Sequence, residues 1–455
     1  MKIHYTNLGR IKDAQFDVKN LTVIVGDNSM GKTILLESLA LFENVMKNQM
    51  EDFIDFKYIE DIKVLKINSV SEKDNKFRKH KDILAKSLDI ECIKKDEIEL
   101  INKMKKYESK YKKLLKENIL DQPSSKVSFS VEYNKIPENF FPKHLKLYID
   151  ISENKIIQTE FKVNGVTVVS RLPRISLNFD DNSYPSEANP DFFDDIISTT
   201  FPRIISILNR RFFRVYCNIE ETIFFPSERA SYQINAKNKS AAFIEETFSK
   251  ANNKKEEDIR YSESLFIKSY FEYQDYLEFM SDADNIFDSN RDLFRELCFS
   301  IGGKPIYEDG MISKIELNSK EEISKKLFST KQNRLLPYFM LCTPIMLQTN
   351  RVIIEEPEAH MSLKSMFELQ KIIGILLRNT NVIITSHSDV FVTLLNNLII
   401  KNNIGASIYE LIHEKEGHIL KKLDLGPTGA EFSFMSDQLL ELNKQIMSIL
   451  SEEGV

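Results

Sequence analysis

Residues 20–42, NLTVIVGDNSMGKTILLESLALF, read as a strand, a turn and a helix in direct succession. Leu21 to Val25 is a short apolar, β-branched run of the kind that forms a strand buried on both faces. Beyond it, Leu35, Leu36, Leu39 and Phe42 recur at helical spacing and share one face. The turn, Gly26-Asp27-Asn28-Ser29-Met30-Gly31-Lys32-Thr33, fits G-x-x-x-x-G-K-[ST]. Its glycines let backbone amides turn inward around phosphate oxygens, and the helix start adds partial positive charge. In such a loop Lys32 reaches the β- and γ-phosphates of ATP, and the Thr33 hydroxyl binds Mg2+. Gly26, Asn28, Ser29, Gly31, Lys32 and Thr33 are therefore the candidate nucleotide ligands.

A second stretch, RVIIEEPEAHMS at 351–362, places three carboxylates in four positions directly after an apolar strand. Beside a phosphate loop this has a chemical reading. Glu355 stands where an acid contacting Mg2+ belongs, and Glu356 is placed to polarise the water that attacks the γ-phosphate. A plainer reading makes the acids the first turn of a helix, with Pro357 and Glu358 suited to that position. It accounts for Glu358 better than for two acids at the end of a buried strand. A third apolar run, NVIITSHSDV at 381–390, puts Ser386 and His387 at its carboxyl end, where open α/β sheets bind ligands. His387 is the candidate partner of the γ-phosphate or of the attacking water.

The order of these motifs resembles the ABC-type ATPases. The spellings IIEEPEAHM and IITSHS resemble their RecF/SMC-like branch, the overcoming-lysogenisation-defect class and its stand-alone relatives in prokaryotic defence. Residues 1–50, 220–235 and 325–425 carry the resemblance, including IFFPSERASY with Pro226 and Arg229 after a strand. The resemblance implies an α/β ATPase head with a mixed central sheet, an antiparallel β-lobe and helical insertions. It implies two heads enclosing two nucleotides, with the signature of one head touching the γ-phosphate held by the other. In LFSTKQNRLLPYFML, aligning Leu335-Leu336-Pro337 puts Ser329 and Thr330 on the signature serines and Lys331 on its glycine. A side chain there obstructs close backbone approach, or supplies positive charge to the facing head's phosphate. Slow hydrolysis is the expectation, with Ser329 acting across a homodimer or higher homo-oligomer.

The expected segments are the phosphate-loop part of the head at 1–50 and a helical, coiled-coil-like insertion at 51–125. A β-lobe with continuation of the head follows at 126–235, a helical insertion at 236–310, and the remaining head at 311–455. In the first insertion Ile101, Met104, Tyr107, Tyr111 and Leu114 form a stripe on a lysine-rich helix, read either as a nucleic-acid or partner arm or as a solvated face. Within the lobe IIQTEFKVNGVTVVS marks a hairpin, and 178–195 reads as an exposed loop. Phe266, Tyr270, Tyr273, Leu277 and Met280 make an aromatic stripe that suits a core or a partner interface. RIISILNRRFFRVY, from Arg203, suits a nucleic-acid grip or a helix running into a strand equally well. SDADN at 281–285 lacks the glycine and later glutamate of a calcium loop.

Bulk composition bounds the rest. A formal net charge of −6 over 455 residues confines any nucleic-acid surface to a local patch. Cys92, Cys217, Cys298 and Cys342 show no metal-ligand spacing and suit a reducing compartment. With no membrane-length apolar run and no signal-like start, a cytoplasmic protein is expected. After His387 the chain offers a closing strand pair and one amphipathic helix, with no nuclease-like acid cluster. By resemblance the expected role is the sensor-scaffold subunit of an antiphage system of the Septu or PARIS kind. It would control a separate nuclease effector and be triggered by DNA or a phage protein, with no membrane involved. The competing readings are a DNA-repair ATPase and a nucleotide-bound scaffold that does not hydrolyse.

Overall fold

Apolar runs from near the start of the chain and from beyond residue 350 lie side by side in the computed structural model. The strand Leu21–Val25 is buried at every position and is flanked in parallel by Asn381–Ser386 and Ala406–Glu414. Arg351–Glu355 pairs in parallel with Asn381–Ser386, and Thr222–Phe225 pairs in parallel with Arg351–Glu355. Past Ala406–Glu414 the sheet becomes mixed. Gly417–Leu423 returns antiparallel to it, as the closing strand pair was expected to, and is followed in space by Ile11–Asp17, Lys2–Leu8 and the edge strand Ser128–Glu132. The structure describes residues 2–47, 54–58, 63–66, 84–94, 97–122, 125–132, 144–150, 158–163, 166–170, 222–229, 260–279, 290–308, 311–343, 351–426, 429–430 and 432. The fold is thus mixed α/β with a nine-stranded central sheet.

Register decides where the chemistry sits. Glu355 pairs with Thr385, Thr385 with Ile24, and Ser386 with Val25. The phosphate-loop, acid and histidine strands therefore finish at one level. With a side-chain period of two, Val23, Val25, Val352, Ile354, Val382 and Ile384 belong to one apolar cluster. Residues of the helices Leu363–Leu376, Asp389–Asn402, Tyr261–Phe279 and Arg291–Ile301 complete it. The aromatic stripe Phe266, Tyr270, Tyr273 and Leu277 is core: Phe225 lies 5.8 Å from Phe266 and 4.9 Å from Tyr338 between ring centroids.

The chain divides into two compact units, one of Met1–Lys47, Glu108–Tyr133 and Glu220–Val455, the other of Asn48–Tyr107 and Asn134–Ile219. The first holds the nine-stranded sheet and a small antiparallel sheet of Gly303–Glu308, Met311–Leu317 and Glu322–Ser324. The second holds an antiparallel sheet of Ile54–Tyr58, Lys63–Lys66, Leu84–Lys94, His144–Asp150, Gln158–Val163 and Val166–Ser170. Two expectations are corrected here. Among the described residues of the interval 51–125, the helix is Glu97–Asn118, and those before it form the strands Ile54–Tyr58, Lys63–Lys66 and Leu84–Lys94. The signal was present, since Leu88, Ile90 and Cys92 alternate with Ser87, Asp89 and Glu91. Conversely Ser128–Glu132, read as the start of the lobe, is an edge strand of the head.

On the helix Glu97–Asn118 the buried row is Tyr107, Tyr111 and Leu115, with Leu114 only half-buried. Steps of four carry the row to Leu115. The Tyr111 ring lies 4.6 Å from Phe129, and its hydroxyl donates to Ser38 O at 2.9 Å. Lys105, Lys106, Lys110 and Lys113 are exposed. The stretches 178–195, 203–216 and 281–285, together with Met280, the hairpin tip Asn164-Gly165 and the expected terminal helix, lie outside the described residues. Among the described residues no helix is long and apolar enough to cross a membrane.

Candidate nucleotide site

The loop between Leu21–Val25 and the helix Lys32–Lys47 needs glycine at two places. Gly26 has φ +151° and Gly31 φ +103°, both outside the range of L side chains. A Cβ on Gly26 would also meet Leu411 Cβ at 3.1 Å, and one on Gly31 would meet Ile11 Cδ1 at 3.2 Å. Ser29 is left-handed as well, at φ +65°. Such alternation turns successive N–H groups towards one concave side, where an anion binds. Asp27, Asn28 and Ser29 are exposed, while Met30 tucks beneath them and accepts from Asp27 N at 3.2 Å. Lys32 is 6% exposed, and its ammonium donates to Gly26 O at 2.8 Å and Asp27 O at 3.0 Å. Burial lowers the pKa of that ammonium against the opposing pull of Glu356, Glu358, Asp27 and Glu355.

Glu355 ends its strand buried. The Thr33 hydroxyl donates to its Oε1, and Ser227 N donates to its Oε2 at 3.1 Å. Hydroxyl and carboxylate oxygen in contact are a hard-oxygen pair of the kind Mg2+ takes beside nucleotide phosphates. Among the described residues no cluster of three or more His, Cys, Asp or Glu could hold a metal unaided. The pair thus fits Mg2+ only as part of a shell that a nucleotide and water complete.

Glu356 is the unusual residue. It adopts φ +42°, a conformation that costs a non-glycine residue about 1–3 kcal/mol. Its N–H donates to Thr385 O at 3.1 Å and to Thr385 Oγ1 at 3.3 Å, which fixes the bend to the neighbouring strand. The bend sets Glu356 Oε1 3.2 Å from His387 Nδ1 and 4.0 Å from Lys32 Nζ. Lys32, Glu356 and His387 are thereby brought together, as are Thr33 and Glu355.

The plainer reading of the acids is corrected by the same segment. The helix begins at Leu363, with Ser362 as its cap, so the acids precede it by more than a turn. Glu358 points inward and is 2% exposed. Ser386 Oγ donates to Glu358 Oε1 at 2.5 Å and accepts from Ser388 N at 3.1 Å, which shapes the turn carrying His387. Burial pushes the Glu358 carboxyl above the usual range, against the hydrogen bond from Ser386 and the neighbouring His387.

Ser329 is not part of this cluster. It caps the short helix Thr330–Leu335, accepting from Gln332 N, while the Gln332 side chain accepts from Ser329 N at 2.8 Å. Lys331 forms an ion pair with Glu368 of its own chain, so its ammonium is neutralised in cis. Three contributors, Ser227, Thr385 and Arg334, have no place in the sequence reading, and Arg229 enters it only for following a strand. Ser227 and Thr385 act through a backbone N–H and a backbone carbonyl, which no motif spells. Arg229 and Arg334 are buried, and all but one of their hydrogen bonds run to carbonyl oxygens on distant segments. Of the cysteines, Cys342 is buried and Cys298 half-buried, its thiol pushed up to about 12 by burial.

Comparison with curated proteins found no match. Among solved structures, an SMC head bound to the C-winged helix domain of ScpA aligns at 10% identity and TM-score 0.37, covering 93% of this chain and 98% of that one. The SMC head domain from Thermotoga maritima aligns at 8% identity and TM-score 0.32, covering 93% and 98%. An Smc head with an extended coiled coil, bound to the C-terminal domain of ScpA derived from Pyrococcus furiosus, aligns at 12% identity and TM-score 0.33, covering 98% of each. Residues 1–392 match the family model described as the AAA ATPase domain, AAA_15, and with so much of its length matched the chain belongs to that family.

Proposed function

We propose that this protein binds ATP on the 26–33 loop and hydrolyses it slowly. The observation that carries this reading is the position of Glu356 Oε1, 3.2 Å from His387 Nδ1 and 4.0 Å from Lys32 Nζ. A base, a hydrogen-bonding imidazole and a phosphate-binding cation converge beside the Thr33–Glu355 pair. Water attacks the γ-phosphorus, the bond to the bridging oxygen breaks and ADP leaves; Glu356 takes the proton and releases it to solvent. His387 orients the water or a γ-oxygen, and Lys32 offsets the charge that develops on the β- and γ-oxygens. Bound beside Thr33 and Glu355, Mg2+ would supply further charge neutralisation.

Ser329, capping an exposed helix start, is the group proposed to meet the nucleotide of a second head. The signature-like spelling of 327–341 supports a homodimer. The motif spelling at 351–362 and 381–390 also supports a sensor-scaffold role in antiphage defence, with a separate nuclease effector and a DNA or phage-protein trigger.

The test is ATP turnover and native mass measured together on wild type, Lys32→Ala and Glu356→Gln. Wild type should turn over slowly, Lys32→Ala should lose binding, and Glu356→Gln should be trapped with ATP as a larger species. Equal mass and no turnover in all three would refute the proposal.

A further inference from the structure

Arg229 is completely buried, yet its guanidinium meets carbonyl oxygens rather than a carboxylate. Nη1 donates to Glu355 O at 3.4 Å and Nη2 to Pro357 O at 3.2 Å. Those carbonyls lie on either side of Glu356, the left-handed acid. Nη1 also reaches Pro226 O at 3.2 Å, in the loop whose Ser227 N holds Glu355 Oε2. Nε reaches Arg334 O at 3.3 Å, and Arg334 in turn donates to Ser227 O. Tyr338 lies with its ring centroid 5.3 Å from the guanidinium carbon.

We infer that Arg229 is a positioning residue for hydrolysis: its planar fork grips the carbonyls before and after Glu356 and holds that residue in its left-handed bend, with its carboxylate against His387 and Lys32. The shape of the group carries the argument. A guanidinium presents donors in a fixed plane, so one side chain can bind two carbonyls two residues apart. An ammonium in the same place keeps the charge and loses the fork. The bend at Glu356 is strained, and such conformations persist only where surroundings over-determine them. Thr385 holds the Glu356 N–H from the adjacent strand, and Arg229 holds the carbonyls on either side. Without the fork the bend relaxes, and Glu356 Oε1 leaves its place between imidazole and ammonium.

This inference rests on the proposed hydrolysis, so its test carries one readout that does not depend on turnover. Wild type, Arg229→Lys and Arg229→Gln are compared by steady-state ATP turnover and by hydrogen exchange over peptides covering 352–362. Both variants should keep the ATP KM within about threefold and lose kcat by about 10–100-fold, the scale of an ångström misplacement at a reacting centre. Exchange should rise at 352–362 while peptides of Leu21–Val25 and Asn381–Ser386 keep wild-type protection. A purely structural role would instead loosen all three strands together and leave kcat per folded molecule unchanged. Should Arg229→Gln fail to fold, the charge-retaining Arg229→Lys still decides the matter. Wild-type kcat, or wild-type exchange at 352–362, in a folded variant overturns the inference. If wild type itself turns over no ATP, hydrolysis falls, and the exchange measurement alone judges the grip on Glu356.

Discussion

Arg351 opens the acid strand, and its side chain is fully buried against Glu43 of the helix Lys32–Lys47, itself 1% exposed. The Thr222 hydroxyl donates to the other oxygen of the same carboxylate. Taking two charges out of water costs several kcal/mol per ion, and their attraction in the interior roughly returns it. The consequence is asymmetric. Arg351→Met or Glu43→Leu alone takes the opposite charge away from a buried ion, and either should cost about 3–5 kcal/mol. Arg351→Met with Glu43→Leu removes both charges and should be neutral or better, because apolar replacements of buried pairs often stabilise by about 1–4 kcal/mol. Independent effects would sum to about 6–10 kcal/mol, so the non-additivity should be large. A chain of two compact units is not a single two-state system, so the readout must be local. Urea-dependent exchange of peptides from Arg351–Glu355 serves this purpose, each single variant losing about 1 M or more in midpoint and the double variant regaining it. Single variants that each cost under about 1 kcal/mol, or a double variant as weak as the sum, would show that the pair is not desolvated, and the reasoning would fail.

Three further outcomes are expected. Glu358 has a folded-state pKa raised by burial, so its favourable contribution is full below the ordinary carboxylate value and is lost as pH rises through the folded value. The local stability of Glu358→Gln relative to wild type, read by urea-dependent exchange of peptides covering 352–362, should therefore climb as pH rises above the ordinary carboxylate value, and a constant gap would show that Glu358 does not titrate there. Because Lys331 is paired with Glu368 in its own chain, Lys331→Gln should lower stability by about 1 kcal/mol and leave ATP KM and kcat within about twofold; a tenfold kinetic loss would put that ammonium on phosphate instead. Tyr111→Phe removes the donor to Ser38 O and a partner of the Tyr5 hydroxyl, both buried, and should cost about 1–3 kcal/mol in the urea-dependent exchange of peptides from Ser128–Glu132, with an unchanged midpoint there counting against the contact.

How much of this was readable beforehand follows from where each residue's partner lies. The phosphate loop carries its own context, a strand before it and a helix after it, so its shape could be read locally. Glu355, Glu356 and His387 end apolar runs, and such ends share one level once the strands are parallel and in register. The lobe strands at 54–94 were hidden by a neighbouring lysine-rich helix whose periodicity dominates the window. Arg351 was in plain view as the first letter of the acid motif, yet its partner is 308 positions away in the phosphate-loop helix. Nothing in an arginine marks it as buried. Lys331 likewise invited a reading toward phosphate because its neighbour Glu368 lies on another helix.

Glu356 shows how backbone strain enters the candidate site. A strand continuing straight beyond Glu355 would send the next side chain to the opposite face. The left-handed turn at Glu356 instead brings its carboxylate within reach of His387, just past the strand beside its own, and of Lys32, beyond the strand after that. Its cost of about 1–3 kcal/mol has to be met by groups outside the motif. Thr385 meets it from one neighbouring strand, and Arg229, which follows the strand on the other side, grips the flanking carbonyls. The sheet order 222–225, 351–355, 381–386 is thus a requirement of the site: the acid strand must sit between the two segments that hold its last turn. Replacing Glu356 by glycine should then relieve the bend and abolish turnover together. A variant that lost activity while gaining nothing in local protection at 352–362 would place the strain elsewhere.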